Sequence, residues 1–223
     1  MWATQFSGVF AGAQSRHVEG ISDLDLRLVG GIWHLYVTTR PIPMVVAYEL
    51  GASANSYVLD DVQSLQGDGL RPTATVFLSL AGQDMAVSLG TNPTAYASHT
   101  LNALGDLTAP RDFSPSIGIQ SSFVAARSVR IDAVDYVIGT RHGFAHLQVN
   151  RIGPEFSLTQ TSQSTISGTA EAVAVVKVGG AYFVYHAATT NAGIGGFALS
   201  ATGMRGGFNG SSQHFNLFGK MEC

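Results

Sequence analysis

Four times in this sequence, two apolar, β-rich runs are separated by a pair of residues that can turn a chain back on itself. The clearest case is Val176-Lys177-Val178-Gly179-Gly180-Ala181-Tyr182-Phe183-Val184-Tyr185, and Leu28-Val29-Gly30-Gly31-Ile32-Trp33-His34-Leu35-Tyr36-Val37 repeats it. Looser versions occupy 78–87 and 129–138. A two-residue link of this kind reads as an antiparallel hairpin, because a tight primed turn needs residues that tolerate positive φ. Aligning Val29, Leu80, Ile131 and Val178 gives steps of 51, 51 and 47 residues. A second ruler, Gly51, Gly105, Gly153 and Gly203, steps by 54, 48 and 50.

Each period holds further short alternating runs, such as Met44-Val45-Val46-Ala47-Tyr48-Glu49-Leu50 in the first unit and Phe144-Ala145-His146-Leu147-Gln148-Val149 in the third. Leu24-Asp25-Leu26-Arg27-Leu28 alternates strictly, as a strand with one wetter face does. A period of about 40 to 50 residues with four strands in each is the grammar of propeller blades. The predicted fold is all-β: a β-propeller of about four four-stranded blades, closed as a small ring or forming part of a larger one, with the strand before each turn innermost. A β-sandwich with look-alike hairpins is the alternative. The expected organisation is an N-terminal strand and connector over 1–20, the four-unit domain over 21–203, and a tail over 204–223 that adds to the first unit or ends a fragment.

Charged residues make up only 12% of the chain, against about 25% in ordinary soluble domains. The surface must therefore be built from Ser, Thr, Asn, Gln and Gly. The net charge is −3 and no basic cluster occurs. That argues against nucleic acid as a partner, since binding phosphates needs concentrated positive charge. No apolar stretch is long enough for a membrane helix. The N-terminus lacks a classical signal peptide. The single cysteine, Cys223, allows no internal disulfide.

The 178–185 phrase, followed by 191–196 and Phe197-Ala198-Leu199-Ser200, resembles a blade of lactonase-like, YVTN-type propellers. The Gly-rich stretch Asn191-Ala192-Gly193-Ile194-Gly195-Gly196-Phe197 is also similar to the N-terminal propeller-like region of bacterial RTX-type calcium-binding proteins. That resemblance implies extracellular export by a non-classical route reading a C-terminal signal; the cytoplasm is the alternative. No Gly-Gly-x-Gly-x-Asp nonapeptide occurs, so the implication stops short of calcium.

In a propeller, the loops after the second and fourth strands share the face where ligands enter. This places Arg40, Asn92, Arg141, His142 and His186 at one mouth, with Thr39-Arg40 and Thr140-Arg141 in matching places. Two converging guanidinium forks would bind a small anionic ligand such as a carboxylate or sugar phosphate. The competing reading is that each arginine caps its own turn. His142, His146 and His186 could in principle present imidazoles to a metal, but no acid motif accompanies them and neither metal nor cofactor is expected. His34, inside an apolar strand, reads as a satisfied core or channel residue. Asp23 with Asp25, and Asp60 with Asp61, are the close carboxylate pairs available for acid–base work. The function expected is a binding or spacer propeller module of a secreted bacterial protein. The alternatives are a lactonase-like enzyme acting on a small anionic sugar derivative, and a structural piece completed by further chain, by a protein partner or by self-association.

Overall fold

In the computed structural model the chain folds as sixteen strands among the described residues, which are 20–51, 57–65, 71–80, 82–90, 96–110, 123–141, 144–166, 168, 170–188 and 193–210. The first sheet comprises β1 (Ile21–Val29), β2 (Ile32–Thr39), β3 (Met44–Leu50) and β4 (Tyr57–Ser64). The second holds β5 (Pro72–Leu80), β6 (Gln83–Gly90), β7 (Tyr96–Leu101) and β8 (Leu107–Pro110). The third holds β9 (Phe123–Ile131), β10 (Val134–Arg141), β11 (His146–Ile152) and β12 (Leu158–Thr165). The fourth holds β13 (Ala170–Val178), β14 (Ala181–Ala188), β15 (Gly193–Ser200) and β16 (Gly203–Gly210). Each sheet is an antiparallel meander in sequence order. These are the four blades of a β-propeller, as the repeat predicts.

The hairpin turns form for the reason the sequence suggests. Gly30 and Gly31 have φ of 58° and 88°, and Gly179 and Gly180 have 57° and 86°, so both central residues are left-handed. The third blade makes the same turn with Asp132 and Ala133, at φ 50° and 63°. There Ala133 accepts a conformation that costs a residue with a Cβ about 1–2 kcal/mol.

Two irregularities recur in every blade without any marker in the sequence. The first strand of each slips register near its start, between Ile21 and Asp23, Pro72 and Ala74, Phe123 and Ala125, and Ala170 and Ala172. The third and fourth strands slip again, between Ala47 and Tyr48, His99 and Leu101, Val149 and Asn150, and Phe197 and Ala198. A bulge adds an unpaired residue and increases local twist. Two recur per blade, at equivalent places in all four sheets.

The glycine ruler marks the turn between the third and fourth strands, not the end of a blade. The last blade accordingly runs on through β16 to Gly210, inside the segment expected to be a tail. The strand expected at 5–10, and the tail beyond Gly210, lie outside the described residues.

The chain divides into two compact units, Met1–Gln120 and Ser121–Cys223, each with two blades. In the first unit β1 lies against β5 and, more thinly, β4 against β8. In the second unit β9 and β13, and more thinly β12 and β16, do the same. Blades therefore converge at their first strands and splay at their fourth. The first interface buries Tyr36, Val45 and Ala47 against Phe77, Ala86, Ala97 and Leu107. The second buries Tyr136, Ile138, Leu147 and Val149 against Val173, Val184, Phe197 and Leu199. Each large side chain so buried contributes about 1.5–3 kcal/mol.

The alternation in β1 is real but inverted relative to the usual reading. Leu24, Leu26 and Leu28 are exposed, while Asp25 and Arg27 are half-buried. The covered side of β1 is the one that meets the next blade, where the Arg27 guanidinium lies 4.7 Å from the centre of the Phe77 ring. An arginine stacked on an aromatic face can be half-buried with its charge partly compensated.

Candidate functional site

The residues expected at one ligand mouth are Arg40, Asn92, Arg141, His142 and His186. Arg40 belongs to the first unit, Arg141 and His186 to the second, and Asn92 and His142 lie outside the described residues. The two arginines are also out of step. Counting nine residues from Val29 and from Ile131 reaches Thr38 and Thr140. Both threonines reach the next blade: Thr38 Oγ1 is 2.7 Å from Thr75 Oγ1, and Thr140 Oγ1 donates to Ala170 O at 2.8 Å. Arg141 therefore corresponds to Thr39, and Arg40 lies one residue further on. Arg141 ends its strand, whereas Arg40 lies in the turn that follows β2. Arg40 is exposed, whereas Arg141 is half-buried, 5.0 Å from the centre of the Phe144 ring.

His186 is buried, stacked on Phe197 with ring centroids 5.8 Å apart. Neither ring nitrogen is hydrogen-bonded among the described residues. Burial holds its pKa below the ordinary imidazole value, so it is a neutral ring at pH 7. A Cβ at Gly195 would stand 2.2 Å from His186 Nε2. This packing accounts for a glycine in the stretch that resembles RTX proteins. Among the described residues no group of three or more His, Cys, Asp or Glu side chains could hold a metal ion.

The richest polar cluster is in the first unit, and it joins two blades. Buried His34 places Nε2 3.6 Å from Asp60 Oδ2 and Nδ1 3.2 Å from Ile32 O. In the ladder, Ala47 faces Asp61 and Tyr48 faces Leu59, so Asp60 is the extra residue of the bulge in β4. Asp61, next to it, accepts the Leu107 N–H at 3.0 Å and the Val62 N–H at 2.8 Å, and Gln63 donates to it at 3.0 Å. The bulge thus lets two adjacent carboxylates both serve the turn between β7 and β8.

That turn is shaped by Asn102, whose Oδ1 accepts the N–H groups of Leu104 and Asp106 and whose Nδ2 donates to Asp106 Oδ2 at 2.7 Å. Gly105, at φ 99°, lies so close to the His34 ring that a Cβ would stand 2.6 Å from Nε2. Its carbonyl accepts the Tyr36 hydroxyl at 2.7 Å. Burial pushes the Tyr36 phenol well above its ordinary pKa, so it is always the donor. Asp60 is pushed above the usual carboxylate range, first by burial and then by the charge of Asp106 and a hydrogen bond to it. Glu49 adds to that push and His34 opposes it.

The second unit contains a counterpart of the tyrosine clasp. Tyr136 donates to Ala201 O, in the turn between β15 and β16, at 3.0 Å, and Tyr182 returns a bond to Arg130 O at 3.0 Å. Asp23, the other proposed acid, accepts the Thr75 N–H at 2.9 Å across the β1–β5 contact. Chemically, the His34, Asp60 and Asp106 set could hold and pass a proton, but its members meet across a blade interface. Sequence reasoning singles out Asp60 and Asp61 as a close carboxylate pair and does not reach Asp106. The Asn102-Ala103-Leu104-Gly105-Asp106 turn was the available signal.

No protein-family model and no curated protein sequence matches the chain. The resemblances to lactonase-like and RTX-type proteins thus have no family support. Solved structures do match in fold. An exo-β-1,3-galactanase from Phanerochaete chrysosporium, in complex with β-1,3-galactotriose, superposes with a TM-score of 0.63 at 11% identity over 83% of this chain and 49% of that one. A fructofuranosidase from Schwanniomyces occidentalis, complexed with fructose, gives 0.61 at 11% identity over 83% and 45%. A thermostable family-43 glycoside hydrolase gives 0.59 at 14% identity over 86% and 72%. The chain spans about half the length of the first two. At these identities the likeness concerns the fold alone.

Proposed function

We propose that this protein is a propeller binding module for a saccharide, part of a secreted bacterial protein, rather than a self-sufficient hydrolase. The observation that carries this reading is where the candidate acids are engaged. Asp23 and Asp61 each accept a backbone N–H from the neighbouring blade, and Asp60 meets Asp106 across the same interface. Glycoside hydrolysis needs two carboxyl groups about 5–9.5 Å apart on either side of an open sugar site. Carboxylates committed to holding blades together serve a scaffold instead. The sugar is suggested by the galactotriose and fructose complexes of proteins sharing the fold. A chain with only 12% charged residues suits a neutral polar ligand and an extracellular setting.

Calorimetric titration with galacto-, fructo- and xylo-oligosaccharides, run beside a reducing-sugar release assay, tests the proposal. Binding without release supports it. Release of sugar would make the protein an enzyme, with Asp60, Asp106 and His34 the first residues to substitute. No binding to any of the three would leave the spacer reading.

A further inference from the structure

Two acids from different blades face each other where the first blade meets the second. Asp60 is the extra residue of the bulge in β4, and Asp106 ends the turn between β7 and β8. Backbone next to both fixes their approach. Leu107, the residue after Asp106, gives its N–H to Asp61 at 3.0 Å, and its carbonyl accepts Gln63 Nε2 at 3.0 Å. Asp106 is steadied from its own side by Asn102, which donates to Oδ2 at 2.7 Å. Asp60 and Asp106 are hydrogen-bonded to each other. Two carboxylates have no hydrogen to offer, so this bond exists only while one of the two is protonated.

The surroundings favour keeping that proton. His34 Nε2 is 3.6 Å from Asp60 Oδ2, while Nδ1 is 3.2 Å from Ile32 O. The nitrogen facing a carbonyl carries the hydrogen of a neutral ring, so Nε2 then turns a lone pair towards Asp60. Glu49 of β3 adds negative charge. Asp61 is occupied by the N–H groups of Leu107, Val62 and Gln63, and its charge acts on His99 of β7. Arg27 and Asp25 of β1 act on Tyr36. The His34 side chain is 1% exposed and that of Asp60 24%. Water therefore reaches one member of the cluster, and protons can enter and leave without the blades separating.

We propose that the proton shared by Asp60 and Asp106 is a latch between the first two blades, closed while the pair holds it and loosened when it leaves. Loss of the proton sets two like charges against each other beside the contact that buries Tyr36, Phe77 and Leu107. Asp60 holds its proton more tightly in the folded chain than in the unfolded one. The stability it adds is complete below the unfolded value of about 3.9 and is lost as pH rises through the folded value. The dependence linked to His186 has the opposite sign.

Carboxyl-carbon NMR of the full chain, with labelled aspartate, tests this from about pH 3 to about pH 9. Asp60 and Asp106 should titrate in two coupled steps more than about one pH unit apart, the upper one above the usual carboxylate range. Amide exchange at Leu107, corrected for its intrinsic rate, should quicken across the upper step. In Asp106→Asn the side-chain amide donates to Asp60 with no shared proton, so the upper step should vanish and Leu107 should stay protected throughout. Asp60→Asn should do the same from the other side. Glu49→Gln, outside the pair, should move the upper step to lower pH while keeping it, which carries the test should either Asn variant misfold. Two independent titrations in the usual carboxylate range would overturn the proposal. So would Asn variants whose Leu107 exchange keeps the wild-type pH dependence.

Discussion

Gly195 and His186 are one packing decision made at two positions. The buried imidazole lies over backbone that has no Cβ, at a separation no alanine could share. Gly195→Ala should therefore cost about 1–3 kcal/mol in a denaturant titration, the range for overpacking a tight site. In a His186→Ala background the same substitution should be nearly neutral, a coupling that a double-mutant cycle reads directly. The ring also sets an acid limit. Its folded pKa is lowered by burial, so the stability linked to it is present above the unfolded value of about 6.5 and is lost as pH falls through the folded value. His99, buried and lowered in the same direction, adds to that loss. Melting temperature measured from pH 7 downward should fall less steeply in His186→Leu than in the wild type.

At the scale of the element, blades are held to one another by tyrosines in the second strand that reach the turn between third and fourth strands of the next blade. Tyr36→Phe removes a buried hydroxyl and leaves the Gly105 carbonyl unpaired, and should cost about 0.5–1.5 kcal/mol with the ring contacts to Phe77 retained. Thermal unfolding against the wild type measures it, and no change would show that water replaces the phenol. This clasp also shows what a sequence can reveal. The hairpins are legible because alternation and a Gly-Gly pair are local signals with one geometric meaning. Which side of β1 is covered is not, because alternation says that two sides differ and leaves open which of them meets a neighbour. The bulge at Asp60 depends on counting residues against a partner strand. The places of the arginines depend on the same count: one residue of register separates Arg40 from Arg141.

For the molecule as a whole, the repeat and its two bulges matter more than any single contact. A set of similar blades draws its stability from each sheet and from the junction between the two blades of each unit. Among the described residues all strand pairing is between sequence neighbours. Ordering one blade therefore closes only short loops, which favours rapid, blade-by-blade folding for an all-β chain. Four is also an even number, so the chain enters and leaves each sheet at the same end. Mechanical load applied along the polypeptide would cross the strands sideways and open the ladder one pair of bonds at a time, as a zipper opens, rather than shearing many together. Stretched between two handles, the protein should yield at low force in steps of roughly 160–180 Å, the extended length of a period of about fifty residues. The same ladder order that lets blades form one by one would then make the chain a compliant tether.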